Sequence, residues 1–205
     1  MNRVIYATEN HPLYLSLSKL EGFTKEVPRN SEALLFDFSA SHTEAKLELF
    51  SSYKGPIITD LSLNNGDQLI NDFPHVKAAI ATVFPSPKKT YEVYLKDSSV
   101  LEDLESLFYK LEIKALQVST PGIGFIFPRT LVQIINEAWF ALEDELATDK
   151  AIDTAMLFGV NYPLGPLAWG REAGLSNAVL LLEELYTSTQ KERYRPCQKL
   201  KEVTQ

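Results

Sequence analysis

Apolar positions in the first part of the chain fall into short compact runs separated by stretches of helical spacing. Residues 4–7, 33–38, 56–61, 76–84, 91–95 and 114–118 are runs of strand length, and residues 12–20, 43–53 and 66–73 between them read as helices. A further helix opens at Ser98. Ser99 with Glu102 has the spacing of a capping box, and Val100, Leu101, Leu104, Leu107, Phe108 and Leu111 recur on one face behind it. Strands and helices taking turns predict a largely parallel, twisted α/β sheet with helices on both faces.

After the last run the period changes. Thr120-Pro121-Gly122-Ile123-Gly124 reads as a turn or hinge, and no further strand is needed. Residues 125–146 predict a helix of about 22 residues, about 33 Å long, with Leu131, Ile134, Ile135, Ala138, Trp139 and Leu142 on one stripe. Thr148-Asp149 caps a helix that runs to Phe158 and stops at Gly159. Further helices are expected over 167–173 and 176–186, with a short one over 197–203. The boundary falls near Ser119, giving an α/β domain over 1–119 and an all-α domain over 120–205.

The chain has 205 residues and a formal net charge of −7, with 45% hydrophobic positions, enough to bury a core. With 20 Lys and Arg against 27 Asp and Glu, and no basic block, nucleic acid is not an expected partner. A lone cysteine, Cys197, provides neither an intramolecular disulfide nor a zinc cluster, which points to a reducing compartment and a passive thiol. No stretch of about 18 apolar residues occurs, so the reading is of a cytoplasmic protein with no signal peptide and no membrane span.

Candidate chemistry is sparse. The turn after the first strand, Ala7-Thr8-Glu9-Asn10-His11-Pro12, has no glycine, places Glu9 where a phosphate would lie, and loses an N–H at Pro12, so it does not suit a dinucleotide pyrophosphate. His11, His42 and His75 are scattered and read as solvated loop residues without a carboxylate partner. Ser62 and Ser119 lie at strand ends, where α/β sites gather, although a serine there is ordinarily a turn residue. Glu92 stands inside the apolar strand Tyr91-Glu92-Val93-Tyr94, facing either solvent or a cleft. Lys88-Lys89 reads as a surface pair, Asp144 and Glu145 as a solvated face, and Trp139 and Trp169 as core or interface.

From Thr120 onward the chain resembles the C-terminal domain of the 3-hydroxyacyl-CoA dehydrogenases. The stretches that carry the likeness are Thr120-Pro121-Gly122, Arg129-Thr130-Leu131, Ile135-Asn136-Glu137-Ala138, Ile152-Asp153-Thr154-Ala155-Met156, Tyr162-Pro163-Leu164-Gly165-Pro166, Gly174-Leu175 and Tyr194-Arg195-Pro196. The first part looks like the same family's NAD domain with a sheet unit missing between about Val27 and Ala33. The resemblance therefore implies a reduced Rossmann-like domain followed by a helical domain of the 6-phosphogluconate-dehydrogenase C-terminal type. Matched residue by residue, Ala81 stands where that family has its catalytic histidine, and Phe84 stands where it has an asparagine. Glu92 matches the glutamate that orients the histidine, Ser62 a serine that contacts substrate, and Pro128-Arg129 an Asn-Arg pair at the start of the long helix.

These matches make Glu92 and Ser62 remnants of a catalytic set, and place Ala81, Pro128 and Arg129 at the family's substrate cleft. Alanine moves no proton, and the family reaction needs a base for the hydroxyl proton while hydride passes to nicotinamide. Three readings are open: a catalytically impaired subunit that binds a CoA thioester or serves as a scaffold, an NAD-dependent oxidoreductase with a substitute base, and a structural dimerisation module. Tight cofactor binding is expected only under the second. A homodimer through the apolar faces of helices 125–146 and 176–186 is the expected assembly, with acyl-CoA or a CoA-like molecule as the expected ligand.

Overall fold

The structure is a computed structural model that describes residues 3–28 and 31–204. Contacts divide the chain into two compact units, residues 1–126 and 127–205. The first is an α/β unit whose described residues form a seven-stranded sheet. Its strands are β1 (Arg3–Ala7), β2 (Phe23–Thr24), β3 (Leu34–Phe38), β4 (Ile57–Asp60), β5 (Val76–Ala81), β6 (Thr90–Leu95) and β7 (Lys114–Gln117). The spatial order is β2-β1-β3-β4-β5-β6-β7, and every pairing is parallel except β5 with β6.

Alternation along the strands feeds two cores. Leu34, Phe36 and Phe38 of β3 point to one face with Ile58 and Ile80, where Leu17 of α1 (Tyr14–Leu17) and Leu104, Leu107 and Phe108 of α4 (Leu101–Leu111) cover them. Leu35, Ile57 and Ala79 point to the other, beneath Phe50 of α2 (Thr43–Ser52) and Leu69 and Ile70 of α3 (Gly66–Asp72). Helices on both faces and a largely parallel sheet, in which only β6 and β7 run against the other five strands, are what the alternating pattern implies. The chain leaves β1 for β2 on one side and returns to β3 on the other, so the direction of winding reverses between β1 and β3. In doubly wound sheets that switch point, at the carboxyl ends of the strands, is where ligands enter.

The structure corrects several local expectations. Only Tyr14–Leu17 of the expected helix 12–20 is α-helical, and a two-residue strand, β2, follows it. The helix near Ser98 is capped not by Ser99 and Glu102 but by Asp97, whose carboxylate accepts from the Ser99 N–H at 2.9 Å. That bond, with Lys77 beside it, holds the Asp97 carboxyl at a pKa of about 2. The long helix α5 covers Phe127–Glu143 rather than 125–146, because Phe125 adopts φ +58° and cannot continue a right-handed helix.

The second unit is all helical in its described residues: α5, α6 (Asp149–Gly159), α7 (Pro166–Ala173), α8 (Leu175–Thr189) and α9 (Gln198–Glu202). Leu131, Val132 and Ile135 of α5 pack with Leu167 of α7, Leu181, Leu182 and Leu185 of α8 and Leu200 of α9. Gly165 precedes α7, and a Cβ there would collide with the Asp153 carboxyl group. The space is needed because the Asp153 carboxylate accepts from the N–H groups of Leu167 and Ala168, at 2.8 and 3.1 Å, and so caps α7 from another helix. The side chains of α8 at Ala178, Leu181, Leu182 and Leu185 are consumed inside the unit, whereas no residue of α6 is buried.

Candidate functional site

Two strands end in the same way. In Asp37-Phe38-Ser39 and Asp60-Leu61-Ser62 the Asp Oδ1 accepts both the backbone N–H and the hydroxyl of the serine two residues on, an Asx turn that stops the strand. The Asp Oδ2 then receives a hydroxyl from a threonine of the next strand position: Thr59 for Asp37 at 2.7 Å, and Thr82 for Asp60. Each carboxylate also meets a basic side chain. Lys46 Nζ, fully buried, donates to Asp37 at 2.6 Å and to Ser39 Oγ at 2.9 Å. His11 Nε2 lies 3.4 Å from Asp60 and 3.2 Å from Thr82 Oγ1.

The expectation of a solvated His11 is therefore wrong: it is 2% exposed. Its ring packs edge-on against Phe38 with centroids 5.5 Å apart, and its Nδ1 accepts from the Leu13 N–H at 3.1 Å. An imidazole protonated on Nε2 satisfies all these partners at once. Burial would raise the Asp60 pKa, but the bonds from His11, Ser62 and Thr82 outweigh it and hold the carboxyl below its ordinary value.

The loop after β1 spends several of its N–H groups on itself. His11 N–H donates to Thr8 O, Leu13 N–H to the imidazole and Tyr14 N–H to His11 O, and Pro12 has none. The helix that follows has four residues, too few for a useful dipole. A dinucleotide does not fit these residues.

Of the residues singled out in sequence, Ala81 and Glu92 are brought together: they are directly paired across the antiparallel β5–β6 ladder and so share a face. Both are buried, and both Glu92 carboxylate oxygens accept from the Ile126 N–H, at 3.2 and 3.1 Å. Glu92 thus faces neither solvent nor a histidine on β5, and it anchors the segment that leads out of the α/β unit. That segment is clamped elsewhere too. Gly66 and Asp67 N–H both donate to Gly122 O, Asp67 Oδ1 accepts from Thr120 and from Gly122 N–H, and Gly66 has no room for a Cβ beside Pro121.

Ser62 is fully buried with its hydroxyl used, donating to Asp60 at 2.5 Å and accepting from Val83 N–H at 3.2 Å. His42 is exposed and caps α2, and His75 is partly buried, which pushes its pKa down. Pro128 and Arg129 belong to the helical unit, where Pro128 is buried and Arg129 donates to the hydroxyl of buried Tyr194. The Arg129 and Arg193 guanidinium groups lie 5.2 and 4.7 Å from the Tyr194 ring centre. Burial would raise the Tyr194 pKa, yet the two cations outweigh it and lower it. Asn136 ties α5 to the tail, donating to Arg195 O at 2.9 Å and accepting from Cys197 N–H at 2.8 Å. Among the described residues no cluster of three or more His, Cys, Asp or Glu could hold a metal, and no helix is long and apolar enough to cross a membrane.

Comparison with known proteins gives these arrangements a setting. A family model described as 3-hydroxyacyl-CoA dehydrogenase, C-terminal domain, matches residues 124–205. The 3-hydroxyadipyl-CoA dehydrogenase of Escherichia coli strain K12 is 49% identical over 79 residues, 38% of this chain and 17% of that protein. A probable 3-hydroxybutyryl-CoA dehydrogenase of Bacillus subtilis strain 168 is 35% identical over 95 residues, 46% of this chain and 33% of that one. The matched stretches span a third or less of those curated relatives. The crystal structure of 3-hydroxybutyryl-CoA dehydrogenase from Escherichia coli K12 superposes with a TM-score of 0.58 at 29% identity, over 72% of this chain and 31% of that one. An (S)-3-hydroxybutyryl-CoA dehydrogenase from Ralstonia eutropha shares the fold over 98% of this chain and 93% of its own, with a TM-score of 0.68 at 16% identity.

Proposed function

Because residues 124–205 match the C-terminal domain of the 3-hydroxyacyl-CoA dehydrogenases, we propose that this chain serves CoA-thioester metabolism as a binding or scaffold subunit and not as a dehydrogenase. The pair Ala81 and Glu92 carries this reading. The resemblance puts the proton-moving histidine at Ala81, and the carboxylate opposite it is bonded to the backbone of Ile126. With no group there to take the hydroxyl proton, rates fall by roughly 10²–10⁴-fold. Ser62, the other catalytic remnant, is fully buried and bonded to Asp60, so it does not replace the base.

The test is NADH consumption with acetoacetyl-CoA beside calorimetric titration of acetoacetyl-CoA alone. The expected result is thioester binding without turnover. Turnover of the order of 1 s⁻¹, an ordinary enzymatic rate, would instead favour an NAD-dependent oxidoreductase with a substitute base, and His42 and His75 would be the first residues to replace. Absence of both binding and turnover would favour a purely structural module.

The same subunit is proposed to be a homodimer of the cytoplasm, paired through α6. This helix buries none of its residues, and Phe158 on it is 84% exposed. A largely apolar groove of about 610 Å³ runs between α5 and α6, lined by Ile134, Phe140, Ile152 and Met156. A patch that offers both a projecting aromatic and a groove suits a self-complementary two-fold contact. Sedimentation at micromolar concentration is expected to give twice the 23.1 kDa chain mass, and Phe158→Glu to give the monomer. A monomeric native chain would refute the pairing.

A further inference from the structure

We propose that the ligand crevice of the α/β unit is sealed by the chain itself, with the His11 imidazole as the plug, so that this sheet accepts no nucleoside diphosphate, neither NAD nor the ADP portion of coenzyme A. The winding reverses between β1 and β3, and a ligand entering a doubly wound sheet lies between the loops that leave those two strands. Here those loops are bonded to each other. Ala40 N–H, after β3, donates to Thr8 Oγ1 at 3.1 Å, and Asn10 Nδ2, after β1, donates to Ala40 O at 3.2 Å.

Behind this stitch the imidazole crosses the carboxyl end of β3, resting on Phe38, and reaches Asp60 at the end of β4 and Thr82 just past the end of β5. The ring is thus held by three of the strands that follow β1. A pyrophosphate placed at this edge would find the N–H groups of residues 11, 13 and 14 already spent inside the loop, and Pro12 has none. Admitting a dinucleotide therefore means breaking the inter-loop bonds and expelling a ring whose removal leaves buried Asp60 short of a partner.

This inference stands apart from the proposed role in CoA-thioester metabolism, since it concerns the crevice and not the Ala81–Glu92 pair. Its test begins on the native chain. In 15N–1H spectra the His11 ring N–H should be observed as a slowly exchanging proton correlated with Asp60 and Thr82, and titration with NADH or ADP should show binding weaker than about 1 mM. A ring N–H in fast exchange with water, or a micromolar NADH site, overturns the proposal. A second arm opens the plug. In His11→Gly, added imidazole should raise the thermal midpoint while leaving that of the native chain unchanged. Equal effects on both proteins would also overturn it. If His11→Gly does not fold, His11→Ala with methylated and unmethylated imidazole serves the same comparison, and the native spectra decide independently.

Discussion

Replacing Asp60 by alanine tests the buried network at its centre. The side chain is 1% exposed, and its two oxygens accept from Ser62 N–H and Oγ, Thr82 N–H and Oγ1, and the His11 imidazole. The two hydroxyls can turn to other acceptors. The backbone N–H groups of Ser62 and Thr82 and the ring N–H cannot, and each buried donor left without a partner costs about 1–3 kcal/mol. With some recovery through relaxation and entering water, the expected loss is about 4 kcal/mol, a large fraction of the roughly 5–15 kcal/mol of a whole domain. Asp60→Asn, which keeps one oxygen for the Ser62 turn, should lose about half as much. The measurement is urea unfolding followed by far-UV circular dichroism. Trp139 and Trp169, the chain's two tryptophans, lie in the helical unit, so their fluorescence follows that unit. The folded Asp60 pKa is lowered, so its contribution is full above the unfolded value near 4 and fades as the pH falls below it. The native and Asp60→Ala stabilities should therefore converge in acid. A loss under about 1 kcal/mol at pH 7, or a difference that grows as the pH falls, would refute the reasoning.

Ala81→His should not create a dehydrogenase, because the dinucleotide still has no cradle and Phe84, fully buried, still occupies the asparagine position; NADH oxidation with acetoacetyl-CoA should stay at background. Gly165→Ala should destabilise the helical unit, since its Cβ would collide with Asp153 and dislodge the carboxylate that caps α7; a fall in the tryptophan-monitored unfolding midpoint checks it. Thr148→Ala removes the hydroxyl that accepts from the Ala151 N–H and should cost the same unit about 1 kcal/mol, read in the same experiment.

Periodicity made the elements legible wherever they are long enough to bury a face. The α/β-to-helical change, the helices α2, α3 and α4 and the strands β3 to β6 all follow from apolar spacing, whereas β7, also expected as a strand, is exposed along its length and is held by its pairing with β6. The two-residue strand β2 carries no period of its own and is held by its pairing with β1. What sequence reasoning missed is polar and non-local. Glu92 drew attention as an acid inside an apolar strand, yet the same signal was present at Asp37 and Asp60, each inside an apolar run and each followed two residues later by serine. Reading those two as a repeated strand-ending device would have required buried partners. The partners come from 9 residues away for Lys46 and 49 for His11, so only the folded sheet brings them together. The same distinction explains His11. A histidine in a polar loop beside proline has the local signature of a solvated residue, and its burial is set by the carboxyl ends of strands that the chain has not yet formed at that point. A loop that lacks glycine shows only that a pyrophosphate is badly received there. It takes the bonds between Thr8, Asn10 and Ala40 to show that the two loops are tied to each other.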